Sequence, residues 1–325
     1  MFVSPTVVGE AVIIGSCSGS LYSLDRTTGE PIWLYDTAGD GPRAQFHGEP
    51  LLLGDRMVVP TDSNPTGHVY AFDIASGKLL WKVPFNYGVG TTPLLIGDRI
   101  VVVSVEGDIA AMESKSGKIA WRVTPIGTLK PGLAIPSPAH AANRILAVDN
   151  TNQIVALDAA NGTTVWRKTL SGRPNTSLLV TGNEVVVGTA DGYLHSISVQ
   201  SGDVTKRTKL DGIPYGSLIG LDERLLILVS SRTSKLLALD AASHVVRWQQ
   251  ETPKEWTTYR PLVTGSTVIV GSEEKNLCAF DRATGERRWC RPVGQVPRGL
   301  GISSDGTLYV GSLSGVVQAF RGETR

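Results

Sequence analysis

An excess of charge of either sign is missing from this 325-residue chain: 31 lysines and arginines stand against 30 aspartates and glutamates. With that balance and no block of like charge, a nucleic-acid partner and a charged tail are both excluded. Apolar runs of the ~20 residues a membrane-crossing helix needs are also missing, so no transmembrane segment is expected. The opening MFVSPTVVGEAVIIGS has no basic segment and no small-residue cleavage site, and it does not read as a signal peptide. The chain is therefore expected in the cytoplasm, or in the periplasm or outside the cell if a leader preceded it. Cysteine is scarce: Cys17, Cys278 and Cys290, with no adjacent pair and no C-x-x-C. An odd count of scattered cysteines implies no disulfide framework, and all three are expected as packed or surface thiols. The five histidines show no metal-ligand spacing, and no G-x-S-x-G elbow, H-E-x-x-H or Walker loop is present. No metal and no cofactor are expected.

What is abundant is glycine, 36 residues, in a chain that is 41% hydrophobic and only 19% charged, a globular composition that turns often. It is also repetitive. GSLYSLDRTTGEPIW ends at Trp33, GHVYAFDIASGKLLW at Trp81, GDIAAMESKSGKIAW at Trp121 and NQIVALDAANGTTVW at Trp166. SKLLALDAASHVVRW ends at Trp248 and KNLCAFDRATGERRW at Trp289, while GYLHSISVQSGDVTK reaches Lys206 without a tryptophan. An eighth copy, SGVVQAF, stops at Phe320. Six of the seven tryptophans thus share one repeat position, and eight units give about 41 residues each, the size of a four-stranded propeller blade. In the third unit the strands read as Pro93–Ile96, Ile100–Ser104, Asp108–Met112 and Ile119–Val123, with Gly97-Asp98 as a hairpin turn. Segments such as Asp73-Ile74-Ala75-Ser76-Gly77 form the third turn, where the carboxylate accepts backbone N–H groups and glycine supplies the positive φ. One such sheet cannot bury both faces, and eight in radial array can. The repeated indole is expected over small backbone of the neighbouring blade.

The pattern A-x-D-x-x-[TS]-G-x-x-x-W, clear from Ala71 to Trp81 and from Ala279 to Trp289, resembles the tryptophan-docking repeat of PQQ-like eight-bladed β-propellers. The resemblance covers essentially the whole chain. It implies an all-β fold of four-stranded antiparallel blades, the last one incomplete, forming a single domain over residues 1–325. Unit borders fall at about 1–45, 46–88, 89–133, 134–173, 174–213, 214–256, 257–296 and 297–325. Within the resemblance there are two branches, quinoprotein dehydrogenases and BamB-like bacterial scaffolds. The dehydrogenase branch implies an adjacent-cysteine disulfide and Ca²⁺ ligands beside the quinone, and this sequence carries neither pattern.

Aligning the units on the start of each first strand gives one equivalent position per blade near the central channel: Ser4, Glu49, Thr92, Ser137, Ser177, Gly216, Arg260 and Gly299. One residue earlier stand Val3, Gly48, Thr91, Pro136, Thr176, Tyr215, Tyr259 and Arg298. The large and charged members, with Trp256 and His47 alongside and Tyr87, Lys130 and Arg173 further out, form a candidate ligand-binding funnel. Arginine forks suit carboxylate or phosphate, and aromatics supply a stacking wall for an anionic or sugar-like molecule. The same residues also read as a structural plug of the axis. Three functions stay open: a monomeric scaffold with a protein or small-molecule partner; a quinone-independent hydrolase, lyase or cyclase with His47 or Tyr259 moving a proton and Arg260 stabilising charge; and a quinoprotein dehydrogenase.

Overall fold

The computed structural model describes residues 4–40, 45–62, 66–123, 136–149, 151–222, 224–230, 234–252, 254, 256–258 and 260–321. Among them every regular element is a β-strand, apart from one 3₁₀ turn at Thr37–Asp40. The strands form eight antiparallel sheets in chain order, seven of four strands and a last one of three. Sheet one comprises Thr6–Val8, Ala11–Gly15, Ser20–Asp25 and Pro31–Asp36. Sheets two to eight span residues 51–85, 94–123, 139–169, 179–209, 213–252, 262–292 and 297–320. In the third unit the strands are Leu94–Ile96, Arg99–Val103, Ile109–Glu113 and Ile119–Val123, each expected strand holding to within a residue. Strands are joined by short turns, and the sheet order is the sequence order, with consecutive strands of a sheet pairing antiparallel.

The chain divides into two compact units, residues 2–169 and 170–325. Within each, strand alternation makes the core. In sheet two, Met57, Val59, Tyr70 and Phe72 pack with Ile13 and Leu21 of sheet one. Their alternates Val58, Val69 and Ala71 pack with Ile100, Val102, Ala110 and Met112 of sheet three. Successive side chains of a strand point to opposite faces, so sheet two is buried on both sides. The second unit repeats this, with Leu236 and Ala238 of sheet six against Val268, Val270 and Phe280 of sheet seven.

The third turn and the tryptophan explain one another. Asp73 Oδ1 accepts the Ser76 N–H at 2.8 Å, and Gly77 N donates to Asp73 O at 3.0 Å with φ +68°. That turn carries the dock. Trp33 Nε1 donates to Ile74 O at 2.9 Å, and its ring lies so close that a Cβ on Gly77 would stand 2.5 Å from it. Trp81, Trp121 and Trp248 repeat the bond to Ser114, Ala159 and Arg282 carbonyls. Sheet five has Lys206 in place of the indole, and His244 stands at the glycine position of the next turn with φ +59°. Its imidazole reaches Ser196 Oγ and Thr208 Oγ1, each at 3.1 Å.

The cysteine expectation is corrected: Cys278 and Cys290 are joined in a disulfide, and Cys17 alone is a free thiol. Cys278 lies in the third strand of sheet seven, directly opposite Cys290 in the fourth. The repeat register makes the residue three before the turn Asp face the residue after the Trp, as Tyr70 faces Lys82. The two sulfurs are therefore brought together across 12 residues of hairpin. The inserted segment after Trp33 is stapled inward: Asp40 accepts from Tyr35, Tyr70 and Lys82 at 2.8, 3.2 and 2.5 Å. Burial would raise this carboxyl, but those three donors together hold it below its ordinary range.

Candidate functional site

The expected funnel residues divide between the two units. In the first unit, the segment entering sheet two threads between the turns that follow the second strands of sheets one and two. Phe46 N donates to Ser16 O at 3.4 Å, and Asp62 N donates to Gln45 O at 2.9 Å. Phe46 is fully buried against Gly15, where a Cβ would come within 2.5 Å of the Phe46 Cβ. That close approach needs glycine and pins His47, the next residue. His47 Nδ1 is 2.5 Å from Asp62 Oδ2, and its Nε2 is 3.5 Å from Cys17 Sγ. The His47 and Asp62 side chains are 24% and 17% exposed, so the contact is partly screened from water.

Glu49 N donates to Thr92 Oγ1 at 3.3 Å, and Thr92 N to Ser137 Oγ at 3.0 Å. In the second unit Ser177 N donates to Gly216 O at 3.0 Å and Leu218 N to Ser177 Oγ at 2.9 Å. Positions aligned by sequence therefore stand side by side within each unit. Sheet seven departs by one residue. Thr91 and Thr176 hydroxyls accept from Val103 N and Gly188 N of their second strands, and in sheet seven Thr258 accepts from Gly271 N. Thr258 thus fills the role aligned with Tyr259, and one extra residue precedes Leu262. Tyr259 and Lys130 lie outside the described residues.

Tyr215 and Trp256 do meet, but in the core. Both are buried, in a cluster with Phe280, and Tyr215 OH donates to Trp256 O at 3.1 Å. Arg173 donates to Asn175 Oδ1 at 3.3 Å, and Asn175 Nδ2 in turn to Pro214 O at 2.7 Å. Arg260 and Tyr87 are exposed, and Glu49 and Arg298 are half-buried. Sequence reasoning singled out His47 but missed Asp62 and Cys17 as its neighbours. The signal was in the repeat: Cys17 follows Ser16 and Asp62 follows Thr61, equivalent positions at the close of the second strand in adjacent units. Among the described residues no group of three or more His, Cys, Asp or Glu side chains is placed to hold a metal ion.

Comparison with known proteins decides the family. The family described as "Outer membrane protein assembly factor BamB" matches residues 2–84, 65–219 and 207–324, nearly the whole chain. The chain belongs to the BamB family. The BamB of Shewanella oneidensis is 26% identical over 244 residues, covering 71% of this chain. The chain spans 59% of that relative's length in the match. The crystal structure of BamB from Moraxella catarrhalis matches with a TM-score of 0.76 at 19% identity, covering 98% of this chain and 95% of that one. That likeness shows the fold: an all-β, eight-bladed β-propeller whose last blade has three strands among the described residues. A quinohemoprotein alcohol dehydrogenase from Pseudomonas putida also matches, with a TM-score of 0.73 at 15% identity over 95% of this chain and 69% of its own. The fold is therefore shared between BamB proteins and dehydrogenases, and function has to come from elsewhere. The disulfide found here crosses one hairpin and is not of the adjacent-cysteine kind.

Proposed function

We propose that this protein is a scaffold in outer-membrane protein assembly, working by binding protein partners as a single propeller domain over residues 1–325. The observation that carries the reading is the BamB family match across residues 2–324. Two features of the chain support it. The aromatic wall that a funnel ligand would need is packed into the core at Tyr215 and Trp256. The Cys278–Cys290 disulfide fits an oxidising compartment such as the periplasm. Arg260 and Arg298 then add positive charge to the loops of the second unit, and Glu49 adds negative charge to those of the first.

The test is genetic. Deleting the gene in its source bacterium is expected to lower the outer membrane's content of integral β-barrel proteins, and the exported full-length chain is expected to restore it. Unchanged content after deletion would overturn the reading.

A further inference from the structure

The first unit brings together three chemically complementary side chains that scaffolding does not use. Cys17 follows the second strand of sheet one, Asp62 follows the second strand of sheet two, and His47 lies on the segment threaded between those turns. His47 Nε2 is 3.5 Å from Cys17 Sγ and Nδ1 is 2.5 Å from Asp62 Oδ2. An ionised carboxylate only accepts, so Nδ1 carries the ring proton and Nε2 turns its lone pair to the thiol. Thiol, imidazole and carboxylate in this order form the arrangement that activates a nucleophile: a base within reach, itself oriented by a third group. The orienting carboxylate is fixed at its backbone by Gln45, and Asp62 Oδ1 is buried with no hydrogen-bond partner among the described residues. The carboxylate oxygen that has a partner, Oδ2, is the one that meets His47.

We propose that Cys17 is an imidazole-activated thiol and a site of modification by small-molecule disulfides. His47 Nε2 takes the Sγ proton, and the thiolate attacks one sulfur of R–S–S–R. The Cys17 Sγ–S bond forms as the S–S bond of the reagent breaks. The departing thiolate takes the proton back from the imidazolium and leaves as RSH. Cys17 is oxidised to a mixed disulfide, and half of the reagent is reduced to thiol. Cys17 is half-buried, which suits a small reagent. Cys278 and Cys290 are bonded to each other, so neither resolves the product. The adduct accumulates as a stable cap and does not turn over.

The full chain is incubated with oxidised glutathione at pH 7 and followed by intact mass and peptide mapping, beside the same chain unfolded in urea. One adduct is expected, on Cys17, forming about tenfold faster in the folded chain than in the unfolded one. His47→Ala is expected to slow it to the unfolded rate with an unchanged circular dichroism spectrum, and added imidazole to restore part of the rate. Asp62 is a positioning residue, so Asp62→Glu is expected to keep more of the rate than Asp62→Asn. A folded chain no faster than the unfolded one, or a folded His47→Ala as fast as the parent, would overturn the proposal. If His47→Ala does not fold, the comparison of folded and unfolded parent decides alone. None of these readouts depends on outer-membrane assembly, so the two proposals fail separately.

Discussion

His244 shows how one residue can repair a missing one. The indole that docks each blade is Lys206 in blade five, and the glycine it would cover is His244 in blade six. The imidazole is 2% exposed and bonded to Ser196 and Thr208, filling space that an indole takes in the other blades. A glycine there would leave a void, and voids cost stability roughly in proportion to their volume. Burial, assisted by Lys206, pushes the His244 pKa down to about 4 from 6.5. The folded state therefore holds the neutral ring, while the unfolded chain binds a proton below its ordinary value. The contribution is complete above pH 6.5 and is lost as pH falls toward 4, an effect of at most roughly 3 kcal/mol. His68 and His195, also lowered by burial, act in the same direction. Urea denaturation at pH 7 and pH 5 checks this: the loss of stability on acidification is expected to be smaller in His244→Ala than in the parent. An equal loss in both would show that His244 is not the titrating group.

At the scale of elements, the third turn and the docked tryptophan are one device. Two glycines separate its parts. Gly77 and Gly54 both adopt a left-handed φ, +68° and +65°, but a Cβ at Gly77 would meet the Trp33 ring at 2.5 Å while a Cβ at Gly54 would meet nothing within 4 Å. Gly54→Ala is expected to cost only the left-handed backbone, about 1–2 kcal/mol. Gly77→Ala is expected to cost about 1–3 kcal/mol more, because the indole and its bond to Ile74 must shift. Thermal or urea unfolding of the two variants measures the difference, and equal costs would mean that the dock contributes little.

At the scale of the whole molecule, family membership and the burial of Tyr215 and Trp256 bear on what the loop face does. A scaffold tolerates changes in its loop cations so long as the blades stay packed. The Arg260→Ala/Arg298→Ala variant is expected to fold and to restore outer-membrane protein content in the deleted host as well as the parent does. Failure with the fold intact would assign the function to those arginines, and with it a carboxylate- or phosphate-bearing partner.

The sequence by itself determined the number of repeats, the strands within each and the docking of tryptophan on the next turn. These rest on period-two alternation and on Asp and Gly in a five-residue turn, all local chemistry that needs no knowledge of neighbours. It also held, unread, the pairing of Cys278 with Cys290, since strand register follows once the repeats are aligned residue by residue. Tertiary structure decided the rest. An extra residue before Leu262 moved Thr258 into the role aligned with Tyr259, and Tyr215 and Trp256, read as part of a ligand wall, became core. Cys17, His47 and Asp62 come from three segments, and their meeting depends on a loop threaded between two blades with Phe46 pressed onto Gly15. Contacts along a strand are written in residue order, whereas contacts between loops exist only after the sheets have stacked.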